Sequence, residues 1–200
     1  METSYHHGSL RQALLTEGRS MLVNDGAESV TLRELARRVN VSHAAPRRHF
    51  ADRDALLAAI AAQGFDELVG ALQAAAELPD AEERLTSYAR QFIRFARDNG
   101  PLVSFMFSFK ASGDGPVAEA ASRFFALGSQ LLGEPGDEPA GPLPYVVAAT
   151  LEGIAALGTA GRLPEARTDE VVDLAVAMIV PYLSPKSGHE VKPTSRAAKG

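Results

Sequence analysis

Between Val30 and Leu57 the chain reads V-T-L-R-E-L-A-R-R-V-N-V-S-H-A-A-P-R-R-H-F-A-D-R-D-A-L-L. Its second half crowds His43, Arg47, Arg48 and His49 onto one short segment. Guanidinium forks match phosphate oxygens and the acceptor edge of guanine, and a small residue such as Ala44 admits a close approach to base edges and thymine methyls. The chemistry on offer is recognition of a polyanion. No Ser-His-Asp order, Gly-rich phosphate loop or framed carboxylate pair accompanies it, so no enzyme activity is expected.

The elements that must position these groups follow from local signals. Thr31 and Glu34 form a capping box, each side chain satisfying a free backbone N–H. Leu32, Leu35, Ala36 and Val39 then recur at helical spacing, with Arg33, Arg37 and Arg38 off that face. Asn40 enters the left-handed conformation that a sharp turn needs. Ser42 caps a second helix, His43 to His49, which Pro46 shortens or distorts. Asp52 caps a third, with Arg53 in its first turn, where free N–H groups and the guanidinium would bind a phosphate. The pattern predicts a helix-turn-helix whose second helix enters a DNA major groove. The expected DNA contacts are Thr31, Arg33, Ser42, His43, Ala44, Arg47, Arg48, His49 and Arg53. His43, Arg47 and Arg48 are expected to face the groove, and Thr31, His49 and Arg53 to hold phosphates.

Tyr5-His6-His7-Gly8-Ser9-Leu10-Arg11, T-L-R-E-L-A, V-S-H-A-A-P-R-R-H-F and D-R-D-A-L-L resemble the DNA-binding domain of the tetracycline-repressor (TetR) family over residues 5 to 70. The Y-H-H-G opening is similar to a subgroup named for a Trp-His-Gly signature. The resemblance implies an all-helical homodimer that leaves a palindromic operator when a small molecule binds. It departs from the family at Asn40, where Gly is usual, and at Arg47, where a phosphate-contacting Tyr is usual. Arg53 stands for the usual Lys. Leu151-Glu152-Gly153 stands where the subgroup has Val-His-Gly, and the chain has no Trp, so ligand chemistry tied to that His does not carry over.

The net charge of −5 argues against nucleic acid until its distribution is read. Residues 1–53 hold eight Arg against six acidic residues, whereas residues 54–200 hold twelve Lys and Arg against nineteen. The basic part carries the DNA motif. The absence of Cys excludes disulfides and Cys-ligated metals and fits a cytoplasmic protein. No apolar run reaches the ~20 residues of a membrane span, and no signal peptide opens the chain. No cofactor or metal is expected, and His6-His7 reads as part of an N-terminal arm, residues 1–8, near DNA.

The fold class expected is all-α. A three-helix DNA-binding domain (1–53) precedes a helical ligand-binding and dimerisation domain (54–183) and a disordered basic tail (184–200). Ser9-x-x-Gln12 is expected to open the first helix. Further helices are expected at about 52–76, 80–98, 102–109, 117–132, 144–160 and 168–183, with a Gly- and Pro-rich loop at 133–144.

Seven of the nine Phe lie between 92 and 125. Such a cluster packs as ordinary core, or it lines a cavity. With the resemblance, the cavity is expected, lined by Phe92, Phe95, Phe105, Met106, Phe109, Phe124 and Tyr145. Glu152, Arg123 or Ser104 would then be its polar contacts, for a small, mostly apolar ligand. The long helix near Leu68 and Leu72 would carry the signal to the DNA. Ala149, Gly153, Ala156 and Ala160 form a small-residue stripe, and Val171, Leu174, Met178 and Tyr182 a broad apolar face. These are packing within one subunit, or a homodimer four-helix contact as the resemblance implies. The function expected is a ligand-released repressor. The alternatives are an enzyme using Glu152 as acid-base, and a non-specific architectural DNA binder.

Overall fold

Asp52 and Asp80 each start a helix by accepting a backbone N–H three residues on, from Ala55 at 2.8 Å and from Glu83 at 2.9 Å. In a computed structural model, which describes residues 6–110, 115–133 and 141–183, the chain forms eight α-helices and no strand among those residues. They are α1 (His6–Asp25), α2 (Leu32–Arg38), α3 (Arg53–Ala76), α4 (Ala81–Asp98), α5 (Gly100–Ser108), α6 (Pro116–Leu132), α7 (Pro142–Thr159) and α8 (Glu165–Ile179). Short 3₁₀ turns lie at Ala27–Ser29, Pro46–Arg48 and Val180–Tyr182. Residues 1–5 of the expected arm, most of the 133–144 loop and the 184–200 tail lie outside the described residues.

Proline decides most departures from the expected boundaries. Pro142 and Pro144 both fit a first turn, where no N–H needs a partner, so α7 begins two residues early. Pro164 holds the extended conformation before α8, which therefore starts at Glu165 and not at Thr168. Pro181 has no N–H to continue α8, and the chain tightens into a 3₁₀ turn before Leu183. α1 starts at His6, so Ser9 is inside the helix instead of capping it, and residues 6–8 are helical instead of an arm.

α3 is the common wall of the molecule. By length and composition it is apolar enough to cross a membrane, contrary to the expectation that no segment reaches that length. Its apolar side chains instead pack on protein. Leu56 and Ile60 lie beneath Gly18 of α1, and Gly64 meets α5. Phe65 contacts Phe107 and Phe124, and Leu68 and Leu72 are fully buried. One continuous apolar cluster thus runs from Leu14 to Ile179. A polar tie reinforces it. Arg19 of α1 donates to both carboxylate oxygens of Glu67 at 2.6 and 2.5 Å, and to Asn99 Oδ1, at the α4–α5 corner, at 2.7 Å.

The turn after α2 is closed by backbone bonds. Val41 N–H donates to Ala36 O at 3.0 Å and Asn40 N–H to Arg37 O at 3.2 Å, the paired pattern of a helix end with a left-handed residue. Asn40 is that residue, at φ 57°. An alanine there carries a Cβ that this conformation disfavours, so Asn40→Ala should cost about 1 kcal/mol in urea unfolding while Asn40→Gly is tolerated. At Gly64 an added Cβ would collide with Met106 Sδ. Gly64→Ala should therefore lower stability by about 1–3 kcal/mol through overpacking, and Gly64→Ala with Met106→Ala should cost less than the sum of the two single changes.

Candidate nucleic-acid interface and cavity

The recognition segment is not an α-helix. Pro46 falls where its missing N–H would have bonded to Ser42 O, and the chain closes three-residue turns instead. Ala45 N–H donates to Ser42 O at 2.9 Å, Arg48 N–H to Ala45 O at 3.1 Å and His49 N–H to Pro46 O at 3.0 Å. The expected helix His43–His49 is thus a turn followed by the 3₁₀ segment Pro46–Arg48, and Ser42 makes no side-chain cap at its start. Pro46 and Phe50 are buried and anchor the segment, with the Arg11 guanidinium 5.4 Å from the centre of the Phe50 ring.

Ser42, His43, Ala44, Arg47 and Arg48 are exposed on this segment, and His49 is half-buried. Thr31 caps α2 by accepting Glu34 N–H at 3.2 Å. The expected reciprocal bond is replaced, because the Glu34 carboxylate takes Arg37 (2.6 and 2.9 Å) and Arg38 (3.0 Å). Arg38 also reaches Asp25 at 2.8 Å and Glu17 at 3.4 Å. The guanidiniums therefore fall into two sets. Those of Arg37 and Arg38 are neutralised by carboxylates. Those of Arg33, Arg47 and Arg48 have no ion pair with a described residue.

Arg53 is used differently from the expectation. Its Nε donates to Val30 O at 2.8 Å and its Nη2 to Ala27 O at 2.7 Å, bracing the connection between α1 and α2. Asp52 fills the first-turn N–H position of α3 with its own carboxylate. Two of the three guanidinium nitrogens of Arg53 are thus turned to protein carbonyls, and the Ala55 N–H is taken by Asp52.

The aromatic cluster is also corrected. Phe65, Phe92, Phe107 and Phe124 pack on one another, edge to face for Phe65–Phe107 (5.2 Å between centres) and Phe107–Phe124 (5.6 Å). They fill their space as core. A cavity of about 280 Å³ opens beside them, between α4, α5 and α7. Its lining is Ala96, Gly100, Val103, Ser104, Phe107, Ser108, Glu152, Ala155, Ala156 and Thr159. Of the expected residues only Glu152 and Ser104 line it. Phe92, Phe95, Phe105, Met106, Phe109, Phe124 and Tyr145 do not, and Arg123 is turned to Asp66 at 2.6 Å. Phe107 and, Ser104 apart, the small residues of α5 and α7 were not read as cavity walls, since Gly, Ser and Ala at a cavity wall carry no signal of their own. Burial pushes the Glu152 carboxyl above the usual carboxylate range.

A second exposed feature is apolar. Tyr145 (53% exposed), Leu174 (63%), Met178 (68%) and Tyr182 (73%) lie open to solvent on α7, α8 and the turn that follows. Ala149, Gly153 and Ala156 are exposed beside them, and Val171 is half-buried. A monomer rarely leaves so many large apolar side chains uncovered on one pair of helices.

Residues 14–60 match the family model described as bacterial regulatory proteins, tetR family. No curated protein matches the chain. Among solved structures it is similar to a protein of unknown function from Rhodococcus sp. RHA1, at 36% identity over 92% of this chain and 100% of that one, with a TM-score of 0.74. A transcriptional regulator from Rhodococcus sp. Rha1 shares the fold at 21% identity, over 86% of this chain and 96% of that one, TM-score 0.69. The TetR family transcriptional regulator PfmR from Thermus thermophilus does so at 19% identity, over 84% and 97%, TM-score 0.63.

Two outcomes follow from the guanidinium pairing. Hydrogen bonds from Arg37 and then Arg38 hold the Glu34 carboxyl down to about 2 from the ordinary 4.5. Its contribution to stability is complete above about pH 4.5 and is lost as pH falls towards 2. Wild-type protein should thus exceed Glu34→Gln in urea midpoint at neutral pH, and the gap should close through that window. Arg53→Ala should lower stability by about 1–3 kcal/mol through its two lost carbonyl bonds and leave the salt dependence of DNA binding unchanged. A slope that flattens by about one would restore Arg53 as a phosphate contact.

Proposed function

Because the chain belongs to the tetR family of bacterial regulatory proteins, and so is a DNA-binding transcription regulator, we propose that it is a repressor that holds a palindromic operator as a homodimer and releases it when a small molecule binds. The observation that carries the reading is the set of exposed, unpaired guanidiniums at Arg33, in the first turn of α2, and at Arg47 and Arg48, in the 3₁₀ segment that follows α2. Unpaired charge is the part that displaces counterions from phosphates.

The 3₁₀ geometry divides their labour. Neighbouring residues in such a turn diverge by about 120°, so Arg47 and Arg48 do not serve the same base. One enters the groove with His43 and Ala44, and the other takes a flanking phosphate. Thr31, Arg33 and His49 contact the backbone on either side. The partner copy joins through the apolar face of α7 and α8, with Ala149, Gly153, Ala156, Val171, Leu174, Met178 and Tyr182 in the contact. The ligand enters the cavity lined by α5. Gly100 in that lining adjoins Asn99, which Arg19 of α1 grips, so a displaced α5 pulls on the DNA-binding helices. Such a switch needs a ligand that binds the two arrangements unequally, with a coupling of about 1–3 kcal/mol.

The experiment is binding to DNA flanking the gene, over a range of salt, by fluorescence anisotropy. Of Arg47→Ala and Arg48→Ala, the groove contact should lose about 1–3 kcal/mol and relax one operator position. The phosphate contact should weaken all sequences alike and flatten the salt slope by about one. Unchanged affinity in both proteins refutes the placement. For the dimer, a Cβ at Gly153 meets nothing within 4 Å in the protomer. Gly153→Leu should therefore leave the protomer folded, yield monomers in light scattering and abolish operator binding. A wild-type monomer that binds operator tightly contradicts the assembly.

A further inference from the structure

We infer that the cavity between α4, α5 and α7 is a site for a compact organic cation, with Glu152 as its counter-ion. This rests on the ligand-switched reading above and adds the class of ligand. At about 280 Å³ the cavity lies at the small end of ligand sites, which run to about 1,000 Å³. Its walls are mostly apolar, with Val103 and Phe107 from α5 and Ala155 and Ala156 from α7. Glu152 is the one ionisable group among the lining residues, and no described residue gives it a hydrogen bond or ion pair.

Two of the three lining hydroxyls reinforce the same sign, while that of Ser104 makes no hydrogen bond with a described residue and can accept as well as donate. The Ser108 hydroxyl donates to Phe105 O at 3.1 Å and the Thr159 hydroxyl to Ala155 O at 3.0 Å, both within their own helices. Their protons are committed and their oxygens remain acceptors. A carboxylate and two acceptor hydroxyls thus face a small apolar space, and Phe107 adds an aromatic wall. A group with several N–H donors and a positive charge satisfies such a site, whereas an anion is repelled by it. The half-buried carboxylate bears a desolvation cost that a bound cation relieves.

The test uses three probes of one shape and different charge: benzylammonium, benzyl alcohol and benzoate. Each is titrated into wild-type protein free of DNA at neutral pH, following the methyl resonances of Val103 and Ala155. Benzylammonium should bind tightest and benzoate weakest. Glu152→Gln should weaken benzylammonium by about tenfold and leave benzyl alcohol unchanged. Equal affinity for all three, no movement of those methyls, or undiminished benzylammonium binding by the Gln variant overturns the inference. So does a Gln variant that becomes monomeric, which would assign the carboxylate to the subunit contact. Because the wild-type probe series needs no variant, a misfolded Gln protein leaves the test standing. Operator release is measured apart. Binding through Glu152 without release upholds the site and defeats the switch. Release by a neutral ligand, with no preference for the ammonium probe, upholds the switch and defeats the site.

Discussion

The helix Arg53–Ala76 must be covered along most of its 24 residues, because its composition leaves too little polar surface for water. No single neighbour is long enough to do this. α1 covers its first turns, α5 its middle at Gly64, and α4 and α6 the rest. The DNA-binding motif and the helices around the cavity are therefore built on one rigid rod, with a continuous core on either side of it. A displacement at α5 meets close packing at Met106 and Gly64, and the Arg19–Glu67–Asn99 tie, before it meets solvent. Packed interiors shift between arrangements more readily than they deform, so under the proposed switch this rod would be the element that carries a displacement.

Charge is arranged by the same economy of partners. Arg33, Arg37, Arg38, Arg47, Arg48 and Arg53 lie on or near the helix-turn-helix surface, yet Glu34, Asp25 and Glu17 neutralise Arg37 and Arg38. Arg53 turns inward to two backbone carbonyls. Arg33, Arg47 and Arg48 keep no ion pair with a described residue. The overall acidity of the chain is compatible with this, since a few uncompensated guanidiniums in one place act within a Debye length and the distant carboxylates are screened.

In the helical body, large rings and small residues divide the interior. Four phenylalanines interlock as core, and the cavity opens on the outer side of one of them, Phe107, where Gly100 and Ser104 line it together with Ala155 and Ala156. Space appears where side chains are short. The α7 stripe of small residues, read from sequence as a contact for another helix, has one edge on the cavity at Ala156 and one on the exposed apolar face at Gly153. The two faces share a helix, so a ligand and a partner subunit would act on the same element.

Local signals in the sequence determined much of this protein. The caps at Thr31 and Asp52 and the left-handed turn at Asn40 stand where residue type and spacing placed them, because each depends on backbone groups within four residues. Pro46 announced a distorted recognition segment for the same local reason. Only the tertiary structure decided that Arg53 braces a neighbouring connection and that Glu34 serves two arginines instead of its own cap. It alone put Glu152 beside Phe107 in the cavity, while Phe92 and Phe124 became core. Those outcomes depend on which groups from distant helices arrive first at a shared carbonyl, carboxylate or void, and that competition is settled by packing.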